Sequence, residues 1–358
     1  MNSHRSDIRL AVEQIVAASD PSAGAPITSW DSQAWSNLRE SGFADLGVPE
    51  DQGGAGGEVA DVVDVVSTVV RRGVCTPLIE HMLAGWLASE TGAERLAGTG
   101  TIALGTSLAV ERSDGEVRLS GRLDAVPWAS AADWLTIILP PTSSSLVEVA
   151  TVNLRDDAVD VQDGSDIVGA PLCDVVLANA LSQNVGHNET SIDHVRQRGA
   201  LLYAAAMTAA ARAVVDATVL HTSDRSQFGR PLSKFQAVQQ RIAQLAMTAV
   251  AMERAVEAAT DAVAAGLPDA EVSVASAKVI VSGAVAAIAA GGHQLHGAIG
   301  FTSEHSLGRH TGSMQSWRNR WGSDDEWART LASIVLDDDV DVWDVVSDGT
   351  GHVSSVPR

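Results

Sequence analysis

The sequence predicts a multidomain α+β protein ordered as helices, a small β domain, then a helical bundle. Two changes of texture carry that reading. Residues 1–97 alternate amphipathic patches with turns, residues 98–186 switch to short β-rich runs, and residues 187–340 return to long helical periodicity. A composition with 45% hydrophobic residues over 358 positions supplies enough apolar material for several cores.

Each region follows from local pattern. In "LRESGFADLGVPEDQGGAGGEVADVVDVVSTVVRR" a Gly/Pro/Asp-rich loop precedes a helix whose Val62, Val63, Val66, Val69 and Val70 share one side. The runs "TIALGTSLAVE", "VRLSGRLDAV", "DWLTIILPP" and "SLVEVATVNL" are bounded by Ser, Gly, Asp and Pro, which predicts a small antiparallel β domain. Further on, Phe235, Val238, Ile242, Leu245, Met252 and Val256 keep a three/four spacing, an apolar stripe meant for another helix. The stretch "VSVASAKVIVSGAVAAIAAGGHQLHGAIGF" is apolar almost all round and predicts a buried central helix broken by glycine near its end. Residues 341–358 form an acidic, turn-rich tail expected to be solvated.

Charge excludes several functions. The net charge is -21, and the only lysines are Lys234 and Lys278, so a basic footprint for nucleic acid is missing. Apolar runs are interrupted before transmembrane length, and the first twenty residues read as a short amphipathic helix. A cytoplasmic protein without membrane or nucleic-acid partners is expected. Cys75 and Cys173 lie in unrelated contexts and are expected to be buried free thiols.

Two stretches carry candidate chemistry. In "DRSQFGRPLSKFQ", residues 224–236, Arg225 offers a planar cation suited to phosphate and Phe228 a flat apolar face. Gly229 allows a close turn, and Pro231 can open the next helix. In "GGHQLHGAIGF", residues 291–301, a glycine break presents His293, Gln294 and His296, with His305 and His310 downstream. No Cys or acidic residue is spaced to complete a metal site there, so no metal is expected. A glycine-rich helix end near a cation suits a polar cofactor segment such as a pyrophosphate or adenosine.

Together these stretches resemble the acyl-CoA dehydrogenase family. "RSQFGRPL" is similar to the family's Arg-x-Gln-Phe-Gly-x-Pro-Leu stretch. "QLHGAIGF" is similar to its Gln-x-x-Gly-Gly-x-Gly-Tyr stretch, with Ala298 for the second Gly and Phe301 for Tyr. "GFADLGVPEDQGGAGG" resembles the N-terminal segment containing Val-Pro-Glu-x-x-Gly-Gly. The resemblance spans roughly residues 35–335 and implies an N-terminal helical domain, a central β domain and a C-terminal four-helix bundle. It also implies FAD, with Arg225, Gln227, Phe228, Gln294, Leu295, Gly297 and Ala298 reaching the ADP part of a flavin held mainly by a neighbouring subunit.

The family's reaction needs a carboxylate to take an α-proton beside a thioester carbonyl. The two positions from which the family supplies it fall at Gly199 and Trp321, neither of which can accept a proton. The family's flavin-contacting Trp and Thr of the β domain fall at Ala125 and Pro127. The pattern resembles the shorter, base-less subunits of heteromeric α2β2 acyl-CoA dehydrogenases of actinobacterial steroid side-chain degradation. The resemblance then implies a companion subunit, an acyl-CoA substrate such as a steroid side-chain thioester, and an electron-transfer flavoprotein as acceptor. Two alternatives stay open: a self-sufficient enzyme with a displaced base at Asp324, Asp325 or Glu326, and a scaffold protein without flavin.

Overall fold

The computed structural model describes residues 2–17, 30–113, 116–141, 147–182, 184–188, 190–302 and 305–337. The acidic tail 341–358 lies outside the described residues. Helices α1 (Asn2–Ala17), α2 (Ser32–Glu40), α3 (Val59–Arg71) and α4 (Leu78–Thr91) open the chain. All five valines of the α3 stripe are buried. The carboxylate of Asp64, also buried, receives Arg5 Nε at 2.6 Å and Arg9 at 2.6 Å, so α3 carries a neutralised charge under α1. Between α2 and α3 the loop folds on itself: the Gly47 N–H donates to the Gly56 carbonyl and the Gly56 N–H to the Val48 carbonyl. A Cβ on Gly54 would lie 2.1 Å from the Val48 oxygen, so only glycine fits that crossing.

Eight strands follow: β1 (Gly100–Leu104), β2 (Ala109–Ser113), β3 (Glu116–Pro127), β4 (Trp134–Ile138), β5 (Val147–Asn153), β6 (Val159–Gln162), β7 (Leu172–Leu181) and β8 (Asn184–Asn188). They form two four-stranded sheets, β1-β4-β5-β8 and β2-β3-β7-β6. The expected all-antiparallel arrangement is corrected at one pair: β1 and β4 run parallel, Gly100 opposite Trp134. The chain leaves β1, builds the β2–β3 hairpin in the other sheet and returns in the same direction, a crossover that alternation within a strand does not reveal. Leu119, Val126, Leu135, Ile137, Val152 and Val175 belong to one core cluster that draws on both sheets. Every residue of β4 is buried, which is why "WLTII" reads as continuous apolar sequence.

The C-terminal part holds α5 (Ile192–Asp224), α6 (Gln236–Ala264), α7 (Ala270–His296), α8 (Leu307–Trp317) and α9 (Asp324–Asp337). Of the α6 stripe, Leu245, Met252 and Val256 are buried, while Phe235, Val238 and Ile242 are half-buried. Gly291 and Gly292 do not break α7. Their missing side chains admit neighbours instead: a Cβ on Gly291 would come 2.6 Å from Leu245 of α6, and one on Gly292 2.7 Å from Val214 of α5. The helix stops only at Gly297, whose φ is 66°. Helices α5 and α7 are long and apolar enough to cross a membrane by length and composition, contrary to the sequence expectation. The most apolar window of α5 is 83% buried, that of α7 only 50%. The central helix is therefore not buried all round: Ile280 is 45% exposed. Cys173 is buried and Cys75 only partly so, and neither is in a disulfide.

The described residues divide into two compact units. One comprises 2–17, 30–65 and 74–198, the other 66–73 and 199–337.

Candidate functional site

The two positions where a base is expected meet in space. A Cβ built on Gly199 of α5 would lie 2.4 Å from Cγ and Cδ2 of Trp321. The indole thus occupies the volume that any side chain at 199 would need. Trp321 sits at φ 55°, a left-handed conformation that costs a bulky residue energy and persists where surroundings impose it. Two anchors impose it. Lys278 of α7, fully buried, donates from Nζ to the carbonyls of Arg318 at 3.0 Å and Arg320 at 2.9 Å. From the other side, Trp327 Nε1 donates to the Trp321 carbonyl at 2.9 Å. Burial pushes the Lys278 ammonium down to about 7, against the pull of Asp324 and Glu326.

The acidic trio after Trp321 has other duties. Ser323 and Glu326 form a capping box for α9: the Ser323 N–H donates to Glu326 Oε2 at 2.7 Å, and the Glu326 N–H to Ser323 Oγ at 3.2 Å. Arg318 donates to Asp324 at 2.6 Å and, as the leading cause, holds that carboxyl below its ordinary range. Asp325 is exposed. None of the three is desolvated as a strong base must be.

The residues expected to reach a nucleotide lie at the joined ends of α5, α6 and α7. Strands β9 (Ser226–Gln227) and β10 (Arg230–Pro231) pair as a hairpin with Phe228 and Gly229 at its tip. Their φ values of 52° and 79° are the positive pair that a two-residue type I′ loop requires. Pro231 closes the hairpin and also caps the short 3-10 helix Leu232–Lys234 that leads to α6 at Gln236. The Phe228 ring is 90% exposed, braced edge-on by Phe235, whose other partner is the Arg230 guanidinium 4.2 Å from its centroid. Arg225 and Gln227 are exposed, as are Gln294, Gly297 and Ala298; Leu295 is half-buried.

Beneath these exposed groups the structure adds His221 of α5 to the His293, His296 and His305 that the sequence places near one another. His221 from α5 stacks on His296 from α7 at 4.6 Å, and His305 meets His296 edge-on at 4.8 Å. His293 stacks on Phe301 at 4.4 Å. His296 Nδ1 donates to the Gly292 carbonyl at 2.8 Å, which leaves its buried Nε2 as a bare lone pair without a partner. His293 Nε2 lies 2.9 Å from the Thr311 hydroxyl, whose own proton goes to the Leu307 carbonyl; its Nδ1 is likewise buried and unpartnered. No metal-binding group of three or more His, Cys, Asp or Glu occurs among the described residues. The pair at 293 and 296 was visible in sequence as an i, i+3 repeat, whereas His221 had no local signal. Lys278 had one, as one of two lysines in the chain and set in an apolar helix.

In the β region Ala125 is exposed at φ 54° beside a register shift of β3, its N–H donating to Asp174. The Pro127 carbonyl accepts from Thr101 Oγ1 at 2.5 Å. Neither side chain can stack on or hydrogen-bond to an isoalloxazine ring.

Helices before and after a two-sheet β region along the chain, with a hairpin between α5 and α6, follow a known order of elements. The chain overlays a steroid acyl-CoA dehydrogenase assembly, Tcur3481–Tcur3483, with a TM-score of 0.84, 19% identity and coverage of 94% of this chain and 99% of that one. It overlays the ChsE4–ChsE5 complex from Mycobacterium tuberculosis with a TM-score of 0.82, 21% identity and coverage of 92% and 96%. Residues 193–335 match the model of the acyl-CoA dehydrogenase C-terminal domain. Acyl-CoA dehydrogenase IpdE2 of M. tuberculosis is 32% identical over 312 residues, 85% of this chain and 88% of the relative. The chain belongs to the acyl-CoA dehydrogenase family.

Proposed function

We propose that this chain is a base-less subunit of a heteromeric FAD-dependent acyl-CoA dehydrogenase, completing a flavin site that a companion chain houses. The contact of the Trp321 indole with Gly199 carries the reading. An apolar ring occupies the place from which a family carboxylate would take the α-proton, and the nearest acids cap a helix or pair with arginine. A displaced base at Asp324, Asp325 or Glu326 accordingly finds no support in the geometry.

Residues present fit one half of a flavin dinucleotide and not the other. Arg225, Gln227, Phe228, Gln294, Leu295, Gly297 and Ala298 would hold its ADP part, over imidazoles with unpartnered buried nitrogens. Ala125 and Pro127 offer nothing to the ring. When bound, FAD supplies the hydride acceptor for α,β-dehydrogenation of an acyl-CoA. This chain's part is to fix the nucleotide end and to supply an interface. The companion supplies the carboxylate. The two-chain steroid acyl-CoA dehydrogenase and the ChsE4–ChsE5 complex among the structural neighbours support a companion chain and a steroid thioester; an α2β2 stoichiometry, a side-chain substrate and an electron-transfer flavoprotein acceptor belong to the same proposal. Cytoplasmic residence belongs to the same reading.

Expressed alone, the chain is expected to purify colourless; co-expressed with a companion acyl-CoA dehydrogenase, the complex should be yellow and active. A yellow, active homo-oligomer of this chain would overturn the proposal. Arg225→Ala in the complex should lower flavin content, whereas unchanged content would favour a scaffold role.

A further inference from the structure

We infer that the cluster of His221, His293, His296 and His305 is a protonation-linked seat for a nucleotide diphosphate, taking up a proton as the anion docks on the exposed Arg225 and Gly297 end. The inference rests on the proposed nucleotide site and adds its regulation by pH.

The argument starts from helix electrostatics. His221 lies in the last turn of α5, and His293 and His296 in the last turn of α7. A helix C-terminus carries partial negative charge and repels a diphosphate, the reverse of the helix N-terminus that usually receives one. Two such termini converge here. Any diphosphate at this end therefore needs cations from side chains. Arg225 provides one; Arg230 of the same hairpin lies over the Phe235 ring, and Lys234 lies beyond the hairpin.

The imidazoles can provide the rest. Hydrogen bonds fix their tautomers: His296 donates through Nδ1, and His305 Nδ1 accepts from the Leu307 N–H at 3.1 Å. The bare Nε2 of His296 and Nδ1 of His293 are buried proton-accepting positions. Burial first, then the neighbouring imidazoles, push His221, His293 and His305 below the ordinary histidine range. Arg225 adds to that push on His221, with Asp224 opposing it, and the backbone of Gly300 opposes it at His293. From α8, the facing group is the neutral Thr311 hydroxyl.

A diphosphate reverses the balance. Its charge raises the imidazole pKa values, so one proton from solvent binds the cluster as the anion does. By linkage, affinity is flat below the free-state pKa, where the cluster is already charged. It falls by up to about tenfold per pH unit between the free- and bound-state values, and flattens again above.

The test is calorimetry on the assembly this chain forms with its companion, stripped of flavin, in two buffers of unequal protonation enthalpy from about pH 5.5 to 8. FAD, ADP and coenzyme A serve as separate probes. Wild type should take up roughly half to one proton per FAD or ADP near pH 7. His221→Gln and His305→Gln, both half-buried, should cut that uptake and flatten the pH dependence, while His194→Gln on the far end of α5 should not. FAD bound without proton uptake, or with uptake unchanged in His221→Gln and His305→Gln, overturns the seat and leaves the flavin reading standing. Uptake elicited by coenzyme A alone supports a diphosphate seat but overturns the flavin assignment. Failure of every probe to bind overturns both.

Discussion

At the scale of single residues, Gly199 and Trp321 make one joint whose sign can be tested. Gly199 lies inside α5, where replacing glycine by alanine ordinarily stabilises a helix by about 0.5–1 kcal/mol. Here the new methyl would meet the indole at 2.4 Å, so Gly199→Ala should instead destabilise by about 1–3 kcal/mol in urea unfolding. Removing the ring with Trp321→Ala should relieve that clash, so the double variant loses less stability than the two single losses together. An additive cycle would mean the ring is not wedged there. Lys278 provides a second residue-scale prediction. Its folded-state pKa of about 7 lies below the unfolded value, so between about 7 and 10.5 the unfolded chain binds the extra proton. Stability from this group is therefore absent below about pH 7 and rises with pH above it. The urea midpoint should increase by an amount worth on the order of 1 kcal/mol between about pH 7 and 8.5, and Lys278→Met should flatten that rise.

At the scale of elements, the β9–β10 hairpin turns an interhelix link into a fixed projection. Phe228 gives its own fold little, being 90% exposed and in a left-handed conformation. Phe228→Gly should leave the stability of the isolated chain unchanged or raise it slightly, because glycine tolerates that φ without strain. In the complex it should lower flavin retention; equal retention would remove the ring from the nucleotide site. This element was half legible in sequence. The residues that turn were evident in "QFGRP", yet the hairpin was not, because positive φ at a phenylalanine contradicts local propensity and is imposed from outside the segment. The α3 stripe and the strand runs were legible because period alone determines their buried face. The parallel β1–β4 pair, the histidine cluster and the packing of Gly291 and Gly292 were not. Each depends on residues tens of positions apart, whose meeting no local window encodes.

At the scale of the whole molecule, the helices present apolar surface that the described residues do not cover. Met247 and Val250, three apart on α6, are 72% and 43% exposed, and half of the most apolar α7 window is uncovered. A contiguous exposed apolar patch on a helix face marks an interaction surface. A net charge of -21 keeps the free chain soluble through repulsion but also disfavours its association with identical copies. Both facts fit a face reserved for an unlike chain. Met247→Glu should therefore leave the urea midpoint of the isolated chain within about 0.5 kcal/mol of wild type, since the side chain is exposed. The same substitution should weaken the co-expressed assembly, read as loss of the heteromeric species in sedimentation. Because a subunit that binds only the folded state stabilises it by mass action, the melting temperature of the wild-type assembly should rise with concentration, and that dependence should diminish in the variant. A variant assembly of unchanged mass and unchanged concentration dependence would place the companion interface away from this face of α6.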